Sequence, residues 1–250
     1  MTRQAGTEPR ARVRPIVPVD GVGATPLVCV PVTGQAVWDP FGTLREALWI
    51  GGGQWAGKST VARILARRYG LTAYHYDYHD ARGHEDRRIA RRVRRGEAPF
   101  RPEPDAVWVS GTPEQMAADT LAGFPLRFDW ALDDLRALVS GHPIVAEGWG
   151  LRPELVAAIT DAPRRMVVMV ATEEFRLRQV SSLPRAAALG QRVSDPALAQ
   201  RNRLARDRIV AEDAVNSARR LGIRVIEVDG TQDADAIAGI VADHFGPFPG

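Results

Sequence analysis

The feature that most constrains this chain is the segment from Gly52 to Ser59, which reads Gly-Gly-Gln-Trp-Ala-Gly-Lys-Ser and fits the pattern G-x-x-x-x-G-K-S. The apolar run from Ala47 to Ile50 comes directly before it and predicts a buried strand. After it, apolar residues recur at helical spacing from Val61 to Tyr69, and Gly70 is placed to end that helix. The sequence therefore predicts a strand, a glycine-rich loop and a helix in succession.

Such a loop binds phosphate, because its glycines let backbone N–H groups converge on phosphate oxygens at the positive end of the helix. Lys58 is the only lysine; the chain has 33 lysines and arginines together, which leaves 32 arginines. A slim ammonium can reach between the β- and γ-phosphates, whereas the planar guanidinium of arginine is too broad. The Ser59 hydroxyl is placed to ligate Mg²⁺. The predicted nucleotide-binding residues are Gly52, Gly53, Gln54, Trp55, Ala56, Gly57, Lys58, Ser59 and Thr60.

Length and composition narrow the class of protein. The 250 residues suffice for one α/β domain with a sizeable core and an attached substrate lid, but two full domains would be crowded. The single cysteine, Cys29, excludes an intramolecular disulfide, and we see no secretory leader and no long apolar span. We therefore expect a cytoplasmic protein without membrane association. The net charge of +3 is too small to indicate a nucleic-acid partner by itself.

The rest of the chain predicts the sheet. Residues 1–40 lack a sustained period and are predicted to be a flexible extension, with one candidate strand at Thr25–Val30, and residues 41–250 form the domain. After the loop helix, strands alternate with helices, which predicts an α/β fold with a doubly wound parallel sheet covered on both faces. The predicted strands are Leu71–Tyr76, Pro143–Ala146, Arg165–Ala171 and Ile223–Val228.

Ligands of open α/β sheets lie beyond the carboxyl ends of the strands. Asp77, Glu147, Thr172 and Asp229 each follow one of the predicted strands. We therefore expect these four residues to converge near the glycine-rich loop despite their separation in sequence.

With these segments in this order, the chain resembles the P-loop small-molecule and nucleoside kinases, a group that includes shikimate, gluconate, uridine and nucleoside-monophosphate kinases and chloramphenicol phosphotransferase. It is also similar to kinase-like P-loop proteins of GC-rich bacteria. The resemblance covers about Thr43 to Phe245, and the P-loop is its one highly specific motif. It implies a five-stranded sheet of order 2-3-1-4-5, an acceptor-binding insertion at residues 78–141 and an arginine-bearing lid at residues 173–205.

The resemblance also implies roles for two carboxylates. Asp77 matches the residue that orients or deprotonates the acceptor hydroxyl; its alternative role is to cap a loop or helix. Glu147 resembles the acidic end of a Walker-B-like strand, where it would hold hydrated Mg²⁺ directly or through water. Its alternative role is to bind a helix N-terminus.

The lid and the base-binding loop follow from the same resemblance. Among the lid arginines we prefer Arg185 and Arg192 for stabilising charge on the moving phosphoryl group. Asp229, Gly230 and Thr231 match the loop that lies beside the nucleotide base, and they equally fit an Asp-Gly turn. The expected cofactors are ATP, with GTP as the alternative, and Mg²⁺.

Sequence signals also predict where helices begin. Thr112 with Pro113 starts one helix, Asp129 caps another that runs to Val139, and Asp195 with Pro196 starts a third. Aromatic residues are plentiful in the insertion; they either form its core or stack a planar substrate. They are Phe100, Trp108, Phe124, Phe128 and Trp130. Trp55 is bulky for its loop, and either packs beneath the loop or lines the nucleotide site.

The densest charge lies in Arg87–Arg95, which predicts an amphipathic basic helix. This helix either binds an anionic acceptor, RNA or a membrane surface, or is a solvated helix paired with nearby acids. Taken together, the sequence predicts a kinase that transfers the γ-phosphoryl group to a hydroxyl of a metabolite, nucleoside or antibiotic. The alternatives are a nucleotide or nucleic-acid-end kinase and a non-enzymatic ATP-sensing partner protein. We expect a monomer or a homodimer.

Overall fold

The computed structural model describes residues 37–99, 103–183 and 192–247. The predictions for most of the N-terminal extension, including the strand at Thr25–Val30, lie outside the described residues. So do the predictions for Phe100 and for Arg185.

The sheet has the predicted architecture. Within the described residues it has five strands, all parallel, in the order β2-β3-β1-β4-β5, which confirms the doubly wound α/β fold and the order 2-3-1-4-5. Each strand lies within two residues of a predicted apolar run. The strands are β1 (Leu48–Gly52), β2 (Thr72–His75), β3 (Ile144–Glu147), β4 (Met166–Ala171) and β5 (Arg224–Val228).

Helices connect the strands. Eleven α-helices and one π-helical turn, Asp80–His84, are present in the described ranges. The α-helices are α1 (Thr43–Glu46), α2 (Lys58–Tyr69), α3 (Tyr76–His79), α4 (Glu85–Arg94), α5 (Pro104–Trp108), α6 (Pro113–Ala137), α7 (Pro153–Ala157), α8 (Ala162–Arg165), α9 (Glu173–Ser182), α10 (Pro196–Arg220) and α11 (Ala234–Phe245).

The strands are buried on both faces, so the core has two halves. Alternate residues of a strand point to opposite faces, which places Trp49 and Val168 in one half and Ile50 and Val167 in the other. Helices α6 and α10 contribute to the first half, and α2 and α11 contribute to the second. The sheet is thereby held rigid from both sides, with its carboxyl edge left for the loops.

The helix starts follow the capping signals at two of the three predicted positions. The Thr112 hydroxyl accepts a hydrogen bond from the Gln115 N–H at 3.2 Å, and an Asp195 oxygen accepts one from Leu198 at 2.9 Å. The prediction for Asp129 is wrong, because α6 runs unbroken through it and even through Pro125. The apolar face of α6 continues on both sides of Asp129, and its burial in the core outweighs the local signal.

The length and apolarity of the described helices decide whether any of them could span a membrane. Within residues 37–99, 103–183 and 192–247, no helix is both long enough and apolar enough to cross a membrane.

Candidate active site

The glycine-rich loop leaves β1 by a path that only glycine allows. Gly52 has a φ of 112°, and a Cβ atom there would lie 2.2 Å from the Met169 carbonyl oxygen of β4. Gly57, with a φ of 79°, turns the chain into α2. The loop therefore wraps the start of α2, where backbone N–H groups and the helix dipole favour an anion. This is the geometry of a P-loop.

Lys58 is folded into this loop. Its side chain is only 5% exposed, and its ammonium Nζ donates a hydrogen bond to the Gly53 carbonyl oxygen at 2.6 Å. The lysine thus spans the loop and is held at the place where the phosphates would lie. Ser59 and Thr60 follow on the exposed side of the first turn of α2, so their hydroxyls are accessible to a ligand.

Asp77 lies in the first turn of α3 just after β2, near enough to Lys58 for the ammonium charge to lower its pKa. Its Oδ1 accepts a hydrogen bond from the Trp149 backbone N–H at 3.0 Å. Burial raises the pKa of Asp77 to about 6; the Lys58 ammonium and the Trp149 N–H oppose this rise, and the Glu147 carboxylate adds to it. Asp77 therefore lies close to both Lys58 and Glu147, and a proton leaves or joins it near neutral pH.

Gly148 allows this approach. It has a φ of 153°, and a Cβ atom there would lie 2.6 Å from the Tyr76 Cβ and 2.9 Å from the Asp77 Oδ1. A side chain at position 148 would push Asp77 away from the β3 turn.

Glu147 ends β3, next to β1 and β2 in the sheet, and is 1% exposed. Its Oε1 lies 2.8 Å from His75 Nδ1, and this hydrogen bond raises the pKa of His75. Its Oε2 is buried, with no hydrogen-bond partner among the described residues. A buried carboxylate oxygen that lacks a donor can accept one from a metal-bound water, so Glu147 and Ser59 fit a hydrated Mg²⁺.

The other strand-end residues have local roles. The Thr172 hydroxyl caps α9 by accepting from the Phe175 N–H at 3.3 Å. Asp229 accepts from the Thr231 N–H at 2.9 Å and from its hydroxyl at 2.7 Å, and the Gly230 between them has a φ of 84°. The Asp-Gly turn is therefore present, while its contact with a base stays a prediction. Arg192 is exposed, and its role in a lid also stays a prediction.

The basic helix exists as α4, and its surroundings fit the solvated alternative. Arg88 pairs with Glu85, while Arg92 and Arg95 approach Glu97 at 3.3 and 2.9 Å. None of the residues of α4 is buried. Arg87 pairs with Asp134 at 2.9 Å. Arg91 and Arg94 line a groove together with Arg87, so the binding alternative stays a prediction.

Two contacts were missed by the sequence analysis, although both involve the site. His75 pairs with Glu147, 72 residues away, and Trp55 donates its indole Nε1–H to Asp207 Oδ2 at 3.3 Å, 152 residues away. Trp55 is 5% exposed, so it packs against the body of the protein. The only signal for either contact was the unusual size of Trp55 within a glycine-rich loop.

No protein-family model matches the sequence, and a search of curated protein sequences found no significant match. The strand order and the loop define the fold. It is the kinase-type P-loop fold. Among solved structures, a shikimate kinase from Acinetobacter baumannii in complex with shikimate is 18% identical, with 80% of this chain and 92% of that chain covered and a TM-score of 0.42.

Two further solved structures are similar. A shikimate kinase from Aquifex aeolicus vf5 is 16% identical, with 77% of this chain and 91% of that chain covered and a TM-score of 0.34. A gluconokinase from Sinorhizobium meliloti 1021 is 15% identical, with 81% and 92% covered and a TM-score of 0.36.

Proposed function

We propose that this protein is a kinase that transfers the γ-phosphoryl group of ATP to a hydroxyl of a small molecule. The observation that carries the proposal is the position of Asp77, a carboxylate just after β2 that is held by the Trp149 backbone N–H and is near enough to Lys58 of the P-loop to interact with its charge. A binding loop alone would serve any nucleotide protein. A carboxylate next to that loop can orient an acceptor hydroxyl and take its proton, which is what favours transfer to a hydroxyl.

The proposed phosphoryl transfer uses the positions of Asp77 and Lys58. The acceptor oxygen attacks the γ-phosphorus in line with the departing ADP oxygen, and Asp77 takes the hydroxyl proton as that bond forms. The Lys58 ammonium exchanges the Gly53 carbonyl for phosphate oxygens and neutralises their charge. Ser59, and Glu147 directly or through water, would hold Mg²⁺, which would supply further charge neutralisation at the phosphates.

The test is phosphorus NMR of the purified protein with Mg-ATP and pools of nucleosides, sugars, amino alcohols and hydroxylated antibiotics. A new phosphoester resonance identifies the acceptor. We expect Asp77→Asn and Lys58→Ala each to lower the rate by about 10²-fold or more. Since Asp77 must be ionised to accept the proton, the rate should rise with pH through about 6.

The exposed Asp243→Asn variant is the matched control and should keep the wild-type rate. Full activity of Asp77→Asn would show that Asp77 is not the base. ADP and inorganic phosphate without a phosphoester would indicate a nucleoside triphosphatase, and absence of any turnover would favour an ATP-sensing protein.

A second candidate function is a kinase for nucleotide or nucleic-acid ends, and one surface favours it. A groove of about 560 Å³ lies between α4 and α6, lined on one side by Arg87, Arg91 and Arg94 and on the other by Trp130 and Asp133. Arginines beside an aromatic ring suit a phosphate backbone and a stacked base. If a polynucleotide binds here, affinity should fall steeply with added salt and in Arg91→Gln; a flat salt response would exclude this candidate.

A further inference from the structure

Helix α10 carries a buried acid, Asp207, that contacts the P-loop residue Trp55. Asp207 is 3% exposed, and its Oδ2 accepts the hydrogen bond from the Trp55 indole. Trp55 has a φ of 68°, a left-handed conformation that is strained for a bulky residue and persists only where its surroundings hold it. The hydrogen bond to Asp207 is one such restraint. The Arg203 guanidinium, 5.3 Å from the Trp55 ring centre, is another.

The neighbouring residue on α10 contacts the other half of the site. Arg206 Nε lies 2.8 Å from Asp207 Oδ1, an ion pair without the geometry of a hydrogen bond, so the arginine offsets the buried charge by its proximity. Its guanidinium also lies 5.0 Å from the Trp149 ring centre and 5.1 Å from that of Trp108. Trp149 is the residue whose backbone N–H holds Asp77.

These contacts form one connected path. It runs from the P-loop through Trp55 to Asp207, then to Arg206 and Trp149, and ends at Asp77. The P-loop and Asp77 follow different strands, and phosphoryl transfer depends on holding them within a fraction of an ångström of the in-line geometry. A rigid helix that contacts both is suited to set that separation.

We propose that Asp207 and Arg206 are positioning residues, which hold the P-loop through Trp55 and the Asp77 turn through Trp149. The effect on catalysis rests on the proposed kinase function, whereas the effect on nucleotide binding does not. Neither residue touches the reacting atoms in this scheme. Each acts through the tryptophan that it contacts.

The first measurement is a ¹H–¹⁵N spectrum of the indole N–H groups, recorded without any acceptor. Trp55→Phe removes one resonance and thereby assigns it. We expect that resonance to move when Mg-ADP binds and to move upfield in Asp207→Asn, because an amide oxygen accepts more weakly than a carboxylate. Mg-ADP affinity, measured by calorimetry, should fall about 10-fold in Trp55→Phe and in Asp207→Asn.

A double-mutant cycle with Trp55→Phe and Asp207→Asn distinguishes loss of their contact from non-specific destabilisation of the protein. If both residues act through one contact, the double variant should bind Mg-ADP no more weakly than either single variant, within about 2-fold. The matched control is Asp213→Asn, which removes another acid of α10, one that pairs with the buried Arg152 at the start of α7. It should lower stability and leave Mg-ADP affinity unchanged.

The kinetic arm uses the acceptor once it is known. Trp55→Phe should raise the KM for ATP about 10-fold with kcat within 3-fold, whereas Arg206→Gln should lower kcat about 10-fold and shift its pH midpoint, because Asp77 is displaced. The proposal would be overturned if Trp55→Phe bound Mg-ADP with wild-type affinity. It would also be overturned if the Trp55 indole resonance kept its chemical shift in Asp207→Asn. A failure to find any acceptor would affect the kinase function alone, since binding and spectra still decide the positioning role.

Discussion

At the scale of single residues, the candidate site buries charged side chains that water would solvate if they were exposed. Burial of Asp77 favours its protonated form; the Lys58 ammonium opposes this effect and the Glu147 carboxylate adds to it. Such an arrangement lowers stability above about pH 6, and it fits the base role that we propose for Asp77.

We predict that Asp77→Asn stabilises the protein at pH 7.5. The pKa of Asp77 is about 6 in the folded protein against an ordinary 3.8, so the folded state holds this proton more tightly. Stability is therefore lost as the pH rises from about 4 to about 6, and the loss persists above that range. Asparagine resembles the protonated form and removes the loss, so the free energy of unfolding should rise by about 1–3 kcal/mol.

Urea unfolding at pH 4 and pH 7.5 measures this effect. The gain from Asp77→Asn should be present at pH 7.5 and small at pH 4, where aspartate is itself largely protonated in the folded state. The exposed Asp243→Asn variant should show no such difference between the two pH values. Equal stability of wild type and Asp77→Asn at pH 7.5 would contradict the assigned pKa.

Lys58 leads to a second prediction, on side-chain shape. Its ammonium fits within 2.6 Å of the Gly53 carbonyl inside a buried loop, where a planar guanidinium has no room. We expect Lys58→Arg to weaken Mg-ATP binding at least about 10-fold in calorimetry. Arg63→Lys, on the exposed side of the same helix, should bind as the wild type does. Wild-type affinity in Lys58→Arg would show that only charge matters at this position.

At the scale of elements, β1 and β4 are in contact at a glycine. A Cβ atom at Gly52 would meet backbone atoms of Met169, which cannot move without breaking the β1–β4 pairing. We predict that Gly52→Ala lowers the free energy of unfolding by at least about 3 kcal/mol. Gly70→Ala also has a positive φ of 65° but meets nothing within 4 Å, so it should cost only about 1–2 kcal/mol.

Thermal and urea unfolding of the two alanine variants, side by side, tests this difference. Gly70 lies in the left-handed region that L residues can adopt, whereas Gly52, with a φ of 112°, lies outside it. The excess cost at Gly52 therefore reports its backbone conformation together with the close approach of β4. Similar losses in the two variants would show that the strands can separate to make room.

The elements themselves were largely predictable from the sequence, because their signals are local. Strand runs, the glycine-rich loop and the caps at Thr112 and Asp195 depend on residues within a few positions of one another. The same locality explains the error at Asp129, where a capping residue lies inside a helix that is stabilised by its buried face. A local signal does not report how much apolar surface the fold will cover.

The candidate site was only partly predictable, because several of its contacts join residues that are far apart in sequence. Asp77 and Glu147 could be placed together, since parallel strands bring their carboxyl ends to one edge. The pairing of His75 with Glu147 and of Trp55 with Asp207 depends on register and on helix position, which no short pattern encodes. Polar contacts between residues this far apart in sequence can be identified only from the three-dimensional structure.

At the scale of the whole molecule, the proposed nucleotide binding is coupled to folding. The P-loop exists only when β1 is paired in the sheet and α2 is packed on it, so the unfolded chain offers no comparable phosphate site. A ligand that binds only the folded state stabilises it by an amount set by its concentration relative to Kd. The size of this stabilisation therefore reports on the integrity of the site as a unit.

We predict that Mg-ATP at 100 times its Kd raises the free energy of unfolding by about 2.7 kcal/mol. The same nucleotide concentration should stabilise Lys58→Ala by less than about half of that amount, because the phosphates lose the ammonium. Differential scanning fluorimetry across a nucleotide titration measures both responses, with Asp243→Asn as the control that should follow the wild type. If Lys58→Ala were stabilised as much as the wild type, nucleotide would be binding elsewhere on the molecule, and the P-loop would lose its assigned role.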